Sequence, residues 1–227
     1  MALYSWLIDN KEALEIIYAL AISIICAVIV IKTNKFFKLS LHQGIRYFRN
    51  AFLFYGIAFA IRYFLGAFVD MSGLYYTTTK MAFEYFIIMA GFFLLYSLIW
   101  KKFEKPREDY TSSLFNIKTA IFHLMAIVIV VLDNLWQTYF FMFSSQIIIF
   151  IYTAVISYLN YKNNGKQHKF LKFYFISMLL GFSAWLLNLL VALYLEWDKN
   201  ILIDIGILNI IFFLLFLYGV IKVIKIK

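Results

Sequence analysis

Runs of about twenty apolar residues follow one another along almost the whole chain, broken only by short charged segments. No other feature constrains the fold as strongly. A run of that length crosses a bilayer, and in hydrocarbon every backbone N–H and C=O must find its partner within the protein. Helices and closed barrels are the available solutions. Barrel strands alternate apolar and polar residues with period two, and these runs do not. The chain therefore reads as an all-α integral membrane protein, a single seven-transmembrane helix bundle over residues 1–227. Its spans lie near 13–31, 47–69, 81–100, 117–132, 139–159, 170–195 and 201–223. The 15% of charged residues, against about 25% in soluble domains, fits a bilayer better than water. The single Cys26 rules out an internal disulfide or a cysteine-built metal centre, and Pro106 is the one proline.

Charge placement gives the direction of threading. The segments after spans one, three and five, and the tail, hold most of the 21 basic residues: Lys32, Lys35, Lys38, Arg46 and Arg49, then Lys101 to Lys118, then Lys162 to Lys172, then Lys222 to Lys227. The opposite side keeps Lys11, Lys80 and Lys199. Basic residues collect on the cytoplasmic side, so the N-terminus is expected outside and the C-terminus in the cytoplasm of a cell membrane. The net charge of +9 is then a membrane asymmetry, and nucleic acid is not an expected partner. Met1–Asn10 lacks a basic leader and carries Asp9, so it reads as an outer interfacial segment rather than a signal peptide.

Arg46-Tyr47-Phe48-Arg49 and Lys169-Phe170-Leu171-Lys172 open two aromatic spans in the same manner. Gly56 with Ala60, and Ser177 with Gly181, add small residues four apart within them. Either spans one to three are repeated as five to seven around the fourth, a 3+1+3 design, or inward-starting helices share the same anchoring needs.

Polar residues within the spans are the functional signal, because a charge in hydrocarbon survives only with a partner or water. Arg62 falls in the outer half of span two, Glu84 about one turn into span three and Asp204 about one turn into span seven. Asp133 closes span four on the same side, while Gln146, Asn188 and Asn209 fall somewhat deeper in spans five, six and seven. The candidate ligand-binding set is therefore Arg62, Glu84, Gln146, Asn188, Asp204 and Asn209. Three arrangements satisfy Arg62: a polar pocket open to the outside, an Arg62–Glu84 clamp between two helices, or a side chain snorkelling along lipid.

Catalytic and metal chemistry are not expected. The serines of the spans have no histidine at comparable depth, His42, His123 and His168 lie near the cytoplasmic ends, and HExxH is absent. Neither a catalytic residue, a metal ligand nor a cofactor is therefore assigned.

Gly44-Ile45-Arg46-Tyr47-Phe48 and Lys80-Met81-Ala82-Phe83-Glu84-Tyr85 resemble the openings of the second and third helices in the seven-helix N-terminal sensor region of prokaryotic histidine kinases. The resemblance implies a membrane sensor. It departs from that family in that no kinase domain follows Lys227, so signalling would pass to a separate partner protein. The expected function is a receptor-like protein for a small or lipidic ligand. A small SWEET-like transporter and a structural subunit of a membrane complex are the alternatives.

Overall fold

The computed structural model describes residues 11–40, 42–65, 73–100, 114–163, 169–194 and 199–224, and these are helical apart from short caps and turns. The helices are α1 (Lys11–Ser40), α2 (Gln43–Phe59, continued by a π-helical segment, Ala60–Leu65), α3 (Leu74–Ile99), α4 (Ile117–Leu135), α5 (Phe140–Asn163), α6 (Lys169–Tyr194) and α7 (Lys199–Ile224). Six of them, all but α2, are long and apolar enough to cross a membrane. α2 has 17 residues and carries Arg46 and Arg49 near its start, and the π-helical segment extends it.

Several boundaries lie outward of expectation, the end of α1 and the start of α3 most of all. α1 continues past residue 31 to Ser40, because nothing in its basic stretch breaks a helix and Lys38 in the last turn suits the negative end of the helix dipole. α3 starts at Leu74 rather than at 81. Its first turn is closed by Thr77 and Thr78, whose hydroxyls donate to the carbonyls of Gly73 and Leu74. Gly73 precedes it at φ +62°, a left-handed conformation that glycine adopts without steric cost. Met1–Asn10, the segment around Pro106, His168, and residues 66–69 and 195 of spans two and six lie outside the described residues.

Cross-helix pairs fix the directions. Asn34 meets Arg49, Cys26 meets Gly56, and Tyr18 meets Phe59 and Tyr63, so α1 and α2 are antiparallel. Tyr47 against Tyr96, Phe54 against Phe86 and Phe59 against Phe83 set α2 antiparallel to α3. Ser157 donating to the Leu171 carbonyl, with Phe143 against Trp185, does the same for α5 and α6. Phe173 against Tyr218 and Gly181 against Phe212 set α6 antiparallel to α7. α3 and α5 are instead parallel: Lys80 reaches the Thr138 carbonyl and, two turns on, Gln146 reaches that of Ile87. Six helices close a ring in the order α1, α2, α3, α5, α6, α7, with α7 returning to α1, and α4 lies outside it against α3 and α5.

The ring is filled by aromatic side chains. Phe52 packs edge-on to Phe216 at 5.0 Å, Tyr174 edge-on to Phe216 at 5.2 Å, and Tyr55 edge-on to Phe213 at 5.4 Å. Lipid tails are as apolar as these rings, so shape-matched packing rather than water exclusion holds the helices together. Edge-to-face pairs contribute about 0.5–1.5 kcal/mol each in measured cases.

Asp133 ties α4 to α5. Its wholly buried carboxylate accepts from the Thr138 hydroxyl at 3.0 Å and from the Phe141 and Met142 amides at 2.9 and 2.7 Å. It thereby satisfies orphan donors at the start of α5. Asp133→Ala is expected to cost about 1–2 kcal/mol, measured by SDS titration of the purified protein in micelles, with Asp133→Asn losing less.

Candidate functional site

The π-helical segment at the end of α2 carries Arg62. Such segments widen a helix locally and recur at functional sites. The half-buried guanidinium lies 4.6 Å above the Phe83 ring of α3 and 5.6 Å from the Tyr63 ring, within cation–π range. Glu15 of α1 and Glu84 of α3 attract it electrostatically. Tyr63 packs edge-on to Tyr18 at 5.6 Å, and the Tyr18 hydroxyl accepts from Asn209 of α7 at 3.1 Å. One polar and aromatic cluster thus joins α1, α2 and α7.

A second cluster lies along the parallel α3–α5 seam and meets the first at Phe83 and Glu84. Lys80 Nζ donates to the Thr138 carbonyl at 3.0 Å, sits 4.4 Å from the Tyr139 ring centroid, and stands 3.8 Å from Glu84 Oε1. Glu84 is fully buried, and neither of its carboxylate oxygens has a hydrogen-bond partner. Next along the seam is Gln146, also fully buried, which donates to the Ile87 carbonyl at 3.4 Å while its own Oε1 accepts nothing. A Cβ at Gly91 would approach that Oε1 to 2.9 Å, so glycine there is what lets the amide lie against α3. Asp133 acts on Glu84 from the α4 side as a like charge. Three buried acceptors along this seam therefore lack donors, an arrangement native structures rarely leave unexplained.

The six residues singled out from the sequence divide. Arg62, Glu84, Gln146 and Asn209 belong to the two clusters. Asn188 does not: its amide turns back to the Ala184 carbonyl of its own helix at 3.0 Å. Asp204 is exposed on the outer side of α7, so matching depth did not bring it to the site. The direct Arg62–Glu84 clamp is also replaced, since the carboxylate's close cation is Lys80, one turn earlier on its own helix.

Sequence reasoning missed Lys80, Tyr139, Tyr18 and Glu15 as site members. Lys80 and Glu84 stand four apart, a spacing that puts them on one face once helix α3 is known to start before them. The tyrosines carry no comparable signal in a chain that is 21% aromatic. Beyond the site, His123 donates from Nε2 to the Leu114 carbonyl at 2.8 Å and accepts at Nδ1 from the Tyr85 hydroxyl at 2.6 Å, which ties α4 to α3.

No known protein family's sequence profile matches the chain, and no solved structure does. It is similar to a protein of Archaeoglobus fulgidus described only as uncharacterized, with 27% identity over 190 residues that cover 78% of each chain.

Proposed function

We propose that the protein is a receptor-like integral protein of the cell membrane. It binds a small or lipidic ligand in the polar layer around Arg62, Glu84 and Gln146, and signals through a separate partner. In this reading all seven helices span, the Arg62 end faces outward, and the basic end faces the cytoplasm. The observation that carries it is Glu84, a buried carboxylate with two unused acceptor oxygens; Gln146 Oε1, farther along the same seam against Gly91, is a third. Leaving buried acceptors unmet costs stability, and a ligand bearing N–H or O–H donors satisfies them. Arg62, turned over aromatic rings, is placed to meet an anionic part of the same molecule. Binding shifts the helices only if the ligand prefers one of two packings. The aromatic filling of the ring, with Phe52 against both Phe213 and Phe216, favours binding over passage.

A panel of small amines, amino acids and polar lipids tested by thermal shift on the detergent-purified protein addresses this directly. A true ligand raises the melting midpoint of the wild type, and Arg62→Ala and Glu84→Gln reduce that rise. Equal stabilisation of all three would remove these residues from the site.

A transporter is the second reading. The contact of α1 with α7 has its counterpart in that of α3 with α5, as a 3+1+3 repeat related by a two-fold axis requires. The Tyr55 hydroxyl, halfway along α2, and Ser177 Oγ of α6 are buried without partners. Solute flux into proteoliposomes, weakened by Tyr55→Phe, would favour transport; stabilisation by a ligand without flux favours the receptor.

A further inference from the structure

The opposite, basic end of the α1–α2 seam carries a separate site. Arg49, half-buried on α2, donates from Nη1 to Asn34 Oδ1 of α1 at 2.7 Å and from Nη2 to Asn50 Oδ1 at 3.2 Å, and Asn50 is fully buried. A guanidinium that merely snorkelled would turn outward to water. This one is held between two helices by amide oxygens, which orient it and leave its charge intact. Arg46 stands one turn earlier on the same face, with Nη1 3.5 Å from Gln43 Oε1, close enough for its charge to repel that of Arg49. The register that pairs Asn34 with Arg49 and Cys26 with Gly56 brings the exposed Lys38 level with the start of α2. Lys35, also exposed, lies one residue past Asn34.

Asn34 and Asn50 hold Arg49 through neutral amide oxygens, so the groups that fix its guanidinium do not cancel its charge. Guanidinium forks match the oxygens of a phosphate in both spacing and plane. The position selects the source: α1 carries no charge from Ile16 to Ile31 and turns basic at Lys32, which sets this end of the seam at headgroup depth. We propose that Arg46, Arg49 and Lys38 bind the phosphate of an anionic membrane lipid, with Asn34 and Asn50 positioning Arg49. The assignment is independent of the ligand at the Arg62 end.

The test is native mass spectrometry of the full chain in detergent, titrated with phosphatidylglycerol or phosphatidylcholine, alongside thermal shift with inorganic phosphate. The expected result is selective retention of phosphatidylglycerol, reduced about tenfold by Arg49→Gln for loss of a charge-assisted bidentate contact, and to a smaller degree by Asn34→Ala. Lys162→Ala, which removes an exposed charge from the last turn of α5, leaves the selectivity unchanged. Should Arg49→Gln not fold, Arg46→Gln carries the same expectation. Equal retention of the two lipids, or a loss with Lys162→Ala as large as with Arg49→Gln, would overturn the proposal. Stabilisation by inorganic phosphate that depends on Arg49, without lipid selectivity, would also overturn it and assign the site to a soluble phosphorylated ligand.

Discussion

Replacing Lys80 with methionine is expected to destabilise the bundle by about 3–5 kcal/mol, the cost of leaving one partner of a buried ion pair alone. The pair stands at 3.8 Å, with side-chain exposures of 6% for Lys80 and 0% for Glu84. Methionine also forfeits the donation to the Thr138 carbonyl and the cation over Tyr139. Glu84→Gln is expected to be milder, because its amide keeps the shape and Lys80 retains the Thr138 carbonyl and the Tyr139 ring. The double variant Lys80→Met, Glu84→Gln should therefore recover much of the loss. SDS-unfolding curves of the four proteins measure the coupling. If Lys80→Met costs no more in the presence of Glu84 than in its absence, the two residues are not coupled, and the carboxylate is balanced elsewhere.

The second large effect is expected at Gly181. A methyl group there would run into the Phe150 ring and come within 3.0 Å of Phe212. Both rings are buried, Phe150 at 1% and Phe212 at 3% exposure, and pack 5.7 Å apart, so neither can withdraw cheaply. Gly181→Ala should cost about 1–3 kcal/mol through overpacking, and Gly181→Leu should prevent α5, α6 and α7 from closing together. Phe150→Leu in the Gly181→Ala background makes room and should return part of the loss. Gly206→Ala supplies the control, since a Cβ there meets only Tyr18, at 3.8 Å.

The helices and the polar layer were legible to different extents. Run length and composition located every helix, because hydrocarbon imposes both. Position along each helix was legible in part, since a helix rises about 1.5 Å per residue; Arg62 acts on Glu84, while Asn209 meets Tyr18 and Gln146 lies farther along α3. Facing was not legible. These helices are apolar nearly all round, and such a pattern does not reveal which side meets a neighbour. Asp204 and Asn188 have fitting depth, yet one is exposed and the other bonds within its own helix. The apolar run begins just after Lys80, so the sequence places this charge outside the span, whereas α3 already starts at Leu74. The π-helical segment at Ala60–Leu65 has no local sequence signature. It arises where Arg62, Tyr63, Phe59 and Phe83 must all be accommodated.

Sidedness of the polar layer underlies the functional account, and single-cysteine labelling tests it most directly. Cys26, which is buried, would be replaced by alanine, and a cysteine introduced at Tyr76 in the first turn of α3 or at Lys35 on α1, both exposed positions. A membrane-impermeant maleimide should label Tyr76→Cys in right-side-out vesicles and Lys35→Cys only after the vesicles are opened. Labelling of Lys35→Cys from outside, with Tyr76→Cys protected until opening, would place Arg62 and Glu84 on the cytoplasmic side and contradict a receptor for external ligands.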